Sequence, residues 1–163
     1  MENDRADKEV AEMSKIKVNE QRAVDEFQEL TAIDAPSFGE RQMADRLIVK
    51  LKELGFEVEE DNAGEHFGGN AGNLYAYLPG DLPGDPVLLS GHMDTVEPSK
   101  GKKGIIGEDG VIRSAGKAVL GADDVGCLPG YYHLIRNQRR CFICRASNRS
   151  ADIQYIGFFC TNL

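Results

Sequence analysis

The chain has 163 residues, 41% of them hydrophobic and 28% charged, with a formal net charge of −8. That length supports one domain with a real core, and no apolar run approaches the roughly 20 residues of a membrane span. The acidic balance excludes nucleic acid as the main partner. The charged start Met1-Glu2-Asn3-Asp4-Arg5 lacks the apolar stretch of a secretory signal, which predicts a cytoplasmic protein.

Residues 1–17 are polar and densely charged and predict a disordered lead-in. From Glu20, the positions Val24, Phe27, Leu30 and Ile33 recur at helical spacing behind Asn19 as N-cap, and Pro36 stops the helix near Asp34. Ser37-Phe38-Gly39-Glu40 fits a capping box, in which the Ser hydroxyl and the Glu carboxylate each satisfy a backbone donor of the next helix. Met43, Leu47, Leu51 and Leu54 form the apolar stripe of that helix, and Gly55 ends it.

Phe56 to Glu59 alternates like a strand, and a glycine-rich stretch leads to a second strand over Asn73 to Leu78. After the turn signals of Pro79 to Pro86, Val87-Leu88-Leu89 is a short apolar run that suits a central strand covered on both faces. Ile105-Ile106 and Val111-Ile112 flank Glu108-Asp109-Gly110 as a hairpin. The order predicts an α/β domain with a mixed sheet flanked by helices. In such sheets ligands gather beyond the carboxyl ends of strands, where both His92-Met93-Asp94 and Asp123-Asp124 fall.

Neutral imidazole is a good zinc ligand. A carboxylate two residues on, such as Asp94, can accept the second ring N–H and orient the ring. A carboxylate such as Asp123 can bridge two metals about 3.5–4 Å apart. A His-x-Asp alone also describes a loop histidine with a capping aspartate, and adjacent acids are commonplace on solvated turns.

Together the segments say more. Ala35-Pro36-Ser37 with Glu40, Leu54-Gly55-Phe56, Gly72-Asn73-Leu74, Ser90-Gly91-His92-Met93-Asp94-Thr95-Val96 and Val119-Leu120-Gly121-Ala122-Asp123-Asp124 resemble the N-terminal part of the peptidase T-like zinc metallopeptidases. These are relatives of aminoacylase and carboxypeptidase G. The resemblance implies part of a zinc-peptidase catalytic domain over residues 18–124 and a site for two Zn²⁺, with Co²⁺ or Mn²⁺ as substitutes. By it His92 is a terminal metal ligand, Asp123 the bridging ligand, and Asp94 the catalytic residue that clamps the histidine ring, while Asp124 is not a ligand. It implies an aminopeptidase removing the N-terminal residue from short peptides, particularly tripeptides. Its partner is a short peptide substrate, with no nucleic acid and no membrane, and the full-length family implies a homodimer.

Residues 125–163 depart from that pattern. Five arginines and one aspartate give this tail a charge of +4, leaving −12 for residues 1–124, and it holds all four cysteines. Leu128-Pro129-Gly130 replaces an expected small-residue helix, and no Glu follows Glu108 to supply the family's general base and further ligands. The expectation is a disrupted end and a truncated, inactive enzyme, with a non-catalytic remnant or partner-binding fragment as the alternative. Cys141-Phe142-Ile143-Cys144 offers half a zinc ribbon or a redox pair, and untidy reduced thiols fit it as well.

Overall fold

A computed structural model describes residues 19–80, 87–127 and 142–147. The lead-in over residues 1–17 lies outside them, as do the turn run of 81–86, His133, Cys141, Cys160 and the side chains of 142–147. Helix α1 spans Glu20–Thr31, and the Asn19 side chain accepts from the Arg22 backbone N–H at 3.0 Å, the expected N-cap. Helix α2 spans Arg41–Glu53 and buries Met43, Ala44, Leu47 and Leu51 along one stripe. It ends at Gly55, whose φ of 92° is the left-handed stop.

The capping box does not form. Glu40 is the N-cap residue of α2, but its side chain makes no capping bond to the helix. Ser37 Oγ donates instead to Asp94 at 2.7 Å, and Glu40 accepts from the Phe38 N–H at 2.7 Å. A carboxylate is a stronger acceptor than the competing local arrangement, and it comes from 57 positions along the chain.

Strand β1 (Glu57–Glu60) pairs antiparallel with β2 (Leu74–Leu78), the two joined through a one-turn helix α3 (Ala63–His66) that the sequence did not announce. Strand β3 runs Val87–His92, longer than the apolar run alone suggested. Strands β4 (Gly104–Ile106) and β5 (Ile112–Ser114) form the expected hairpin as a separate two-stranded sheet. Strand β6 (Phe142–Ser147) completes a mixed four-stranded sheet of order β1-β2-β6-β3. It runs antiparallel to β2 and parallel to β3. The α/β class with a mixed sheet is what the sequence predicts.

The core joins Leu30 of α1, the α2 stripe, Phe56, Leu74 and Ala76 to Met93 and Val125. Composition changes at Val125, yet this side chain is fully buried and β6 lies further along the same segment. Apolar burial makes no distinction of charge or cysteine content.

Asp61 ties the β1–α3–β2 corner together. Its carboxylate accepts from the backbone N–H groups of Ala63 and Asn73, from Asn73 Nδ2 and from the Tyr75 hydroxyl, at 2.7–3.2 Å. Burial pushes the group's pKa up, and these bonds outweigh it, leaving it below the ordinary 3.8. A depressed carboxylate contributes stability that is complete above its unfolded pKa and disappears as pH falls through the folded one. Asp61→Asn is therefore expected to lower the urea midpoint at pH 7 and to flatten its fall below about pH 4; an unaltered acid limb would refute this.

Candidate metal centre

Strand β3 delivers His92 as its last residue, and the buried Met93 pins the chain beyond it. The following residues lie along the turn that precedes α2: the Thr95 backbone N–H donates to the Ala35 carbonyl at 2.8 Å, and Thr95 bridges Pro36 in parallel fashion. His92, Asp94 and Thr95 are all buried, at 6%, 4% and 2% exposure.

The histidine ring is held from one side. Nδ1 lies 2.9 Å from the Asp94 backbone carbonyl and 3.2 Å from Asp94 Oδ1. Both neighbours are acceptors, so Nδ1 carries a proton, and Nε2 is the ring nitrogen turned toward Asp123. Asp94 thus lies against the ring with two oxygens, the main-chain one nearer than the carboxylate.

Asp123 arrives from the segment after β5. The Val119 N–H donates to the Pro98 carbonyl at 2.8 Å, the Gly126 N–H to the Ala122 carbonyl at 2.7 Å, and Val125 plugs into the core just beyond. These anchors leave the Asp123 side chain 78% exposed with Oδ1 3.5 Å from His92 Nε2. The Asp123–Asp124 peptide is cis. A cleft of ≈ 170 Å³ opens over the pair, lined by His92, Asp94, Thr95, Val96, Val119, Gly121, Ala122 and Asp123.

With Nε2 unprotonated, its lone pair and the Asp123 carboxylate repel unless a cation lies between them, whereas a protonated ring supplies the positive charge itself. Two ligands of one tetrahedral zinc, with bonds of about 2.0–2.1 Å, stand about 3.3 Å apart, close to the separation seen. The pair therefore fits two corners of a metal site. Among the described residues no group of three or more His, Cys, Asp or Glu side chains is arranged to hold a metal ion, so the fit extends to two corners and not to a full set. No described side chain bears on the Cys-x-x-Cys reading, since Cys141 and the side chain of Cys144 lie outside.

No family model matches the chain. It is 37% identical over 119 residues to an uncharacterized Bacillus subtilis protein, YqjE, an overlap of 73% of this chain and 32% of that protein. A tripeptidase from Staphylococcus aureus superimposes with a TM-score of 0.72 at 32% identity, over 79% of this chain and 36% of its own. The aminopeptidase PepT from Bacillus cereus gives 0.69 at 39% identity, over 73% and 32%. The chain matches the N-terminal part of peptidase T-like peptidases. An aminoacylhistidine dipeptidase from Vibrio alginolyticus, at 18% identity and a TM-score of 0.61 over 85% of this chain and 29% of its own, shares the fold. The chain spans about a third of the length of the peptidase T-like proteins and of the B. subtilis relative it matches.

Some residues around this cleft carry no functional signal in the sequence. Ser37 and Glu40 look like helix capping, yet one bonds Asp94 and the other lies fully buried. Burial pushes Glu40 up from its ordinary pKa, and the negative charge of Asp94 adds to the effect against two backbone hydrogen bonds. Lys102, 4% exposed, donates to Thr95 Oγ1 at 3.0 Å. Burial pushes its ammonium below the ordinary value, while Asp34 and Glu97 pull it back. A lysine in a Gly-Lys-Lys-Gly turn carries no local sign of such burial.

Proposed function

We propose that this chain holds the first part of the site of a metal-dependent exopeptidase that removes the N-terminal residue from short peptides, tripeptides in particular. In this reading His92 is a terminal ligand of one Zn²⁺, Asp123 bridges to a second, Asp94 keeps the imidazole in its ligating tautomer, and Asp124 binds no metal. The observation that carries it is His92 Nε2 facing the Asp123 carboxylate at 3.5 Å, on a chain similar to a tripeptidase and an aminopeptidase. A bound divalent cation would supply Lewis acidity toward a peptide carbonyl. The protein's own contribution is to orient His92 through Nδ1, to present Asp123 to the open cleft, and to keep the far side of the ring dry.

Turnover also needs a group that takes a proton from the attacking water, and no Glu follows Glu108 to fill the family's place for it. In the proposed reading the 163 residues bind a divalent metal weakly and do not turn over peptide by themselves. A second reading, a non-catalytic segment that pairs with a longer partner, draws on the place of β3 at the end of the four-stranded sheet. Adding Zn²⁺ or Co²⁺ to the chain and following tripeptide cleavage tests these statements. The expected result is metal binding without release of the N-terminal residue. Robust turnover sinks the claim of inactivity, and a chain indifferent to either metal sinks the metal site.

A further inference from the structure

We propose that Ser37 is a positioning residue for His92: its hydroxyl holds the Asp94 carboxylate against the imidazole and so keeps the ring oriented with Nε2 toward Asp123. The proposal rests on the metal-site reading above and extends it to a residue outside the ligand set.

Asp94 is buried, and its two oxygens point at different neighbours. Oδ2 accepts from Ser37 Oγ at 2.7 Å, while Oδ1 lies 3.2 Å from His92 Nδ1. Rotation of the carboxylate would break both contacts together, so a donor fixed at Oδ2 sets where Oδ1 stands. Ser37 is itself fixed. The Gly39 N–H closes a turn onto the Pro36 carbonyl at 2.8 Å. Phe38 sits at φ 69° with its N–H on the buried Glu40 carboxylate. The Ala35 carbonyl accepts from the Thr95 N–H, stapling this turn to the histidine segment.

A second observation points the same way. Glu40, not Ser37, is the N-cap residue of α2, and the Arg41 N–H at the helix start is satisfied by Asn70 Oδ1 at 2.9 Å, which leaves the Ser37 hydroxyl to Asp94.

The test uses the whole 163-residue chain. Long-range ¹H–¹⁵N correlation reports the tautomer of the His92 ring, assigned with His66→Gln and His133→Gln variants, and titration of Co²⁺ reports affinity. The Nδ1–H form is expected to dominate in the parent chain. Ser37→Ala should shift the His92 ring ¹⁵N resonances and bind Co²⁺ about tenfold more weakly, and Ser37→Thr should restore both. Ser37 is exposed, so the variants are expected to keep the parent far-UV circular dichroism. An unchanged ring spectrum in Ser37→Ala overturns the proposal, as does unchanged Co²⁺ affinity or failure of Ser37→Thr to rescue. If the parent chain binds no Co²⁺, the metal site falls while the ring spectrum still decides the role of Ser37.

Discussion

Replacing His92 with alanine is expected to weaken Zn²⁺ or Co²⁺ binding by at least about 100-fold, beyond the 10–100-fold that loss of an orienting neighbour costs. The imidazole is the one nitrogen ligand proposed in the site, and its ring is set by two oxygens at Nδ1 before any metal arrives. Alanine removes that ligand and leaves the Asp94 carboxylate facing an empty space. Asp123→Ala should lose a comparable amount, because Oδ1 of that exposed carboxylate is what faces Nε2. Asp124→Ala should change little. Isothermal titration with Zn²⁺ at fixed pH checks all three, and equal affinities for the His92 and Asp124 variants would rule out the arrangement proposed.

Gly72→Ala is expected to destabilise the fold by about 3 kcal/mol or more, at the upper end of what overpacking usually costs. A Cβ at position 72 would lie 1.8 Å from the Asp61 carbonyl oxygen and 2.6 Å from its carbonyl carbon. These are backbone atoms, so no side-chain rotation relieves the clash. The shift must pass into the Asp61 carboxylate, which anchors Ala63, Asn73 and Tyr75. It must also reach Glu60, which accepts from the Gly72 N–H at 2.8 Å while pairing with Arg41 of α2. A fall in melting temperature of about 6–12 °C would follow for a chain this size. A melting temperature equal to that of the parent would show that the corner yields freely.

What could be read from the sequence follows from the range of the forces involved. The two long helices are legible because Leu30, Met43, Leu47 and Leu51 repeat at helical spacing and bury where the period places them. The β4–β5 hairpin is legible because its turn residues are local. His92 and Asp123 could be singled out because each follows an apolar run, although nothing in the run states that they face one another. Ser37 was misread because the spacing to Glu40 satisfies a local rule, whereas its partner is 57 residues away. Strand β6 escaped because Phe142 to Ser147 reads as a cysteine and arginine motif, and strand formation depends on the neighbours that a segment meets.

The place of β6 between β2 and β3 has a bearing on biosynthesis. The strand ending in His92 has no direct ladder to β2; its pairing is with a segment that begins 50 positions later. While the ribosome is still making that interval, β1 and β2 can zip together locally, but the histidine strand must wait beside them with its backbone groups unsatisfied. Long-range parallel pairing of this sort is slow and prone to off-pathway association, so the metal-facing rim is expected to be the last part of the sheet to take shape.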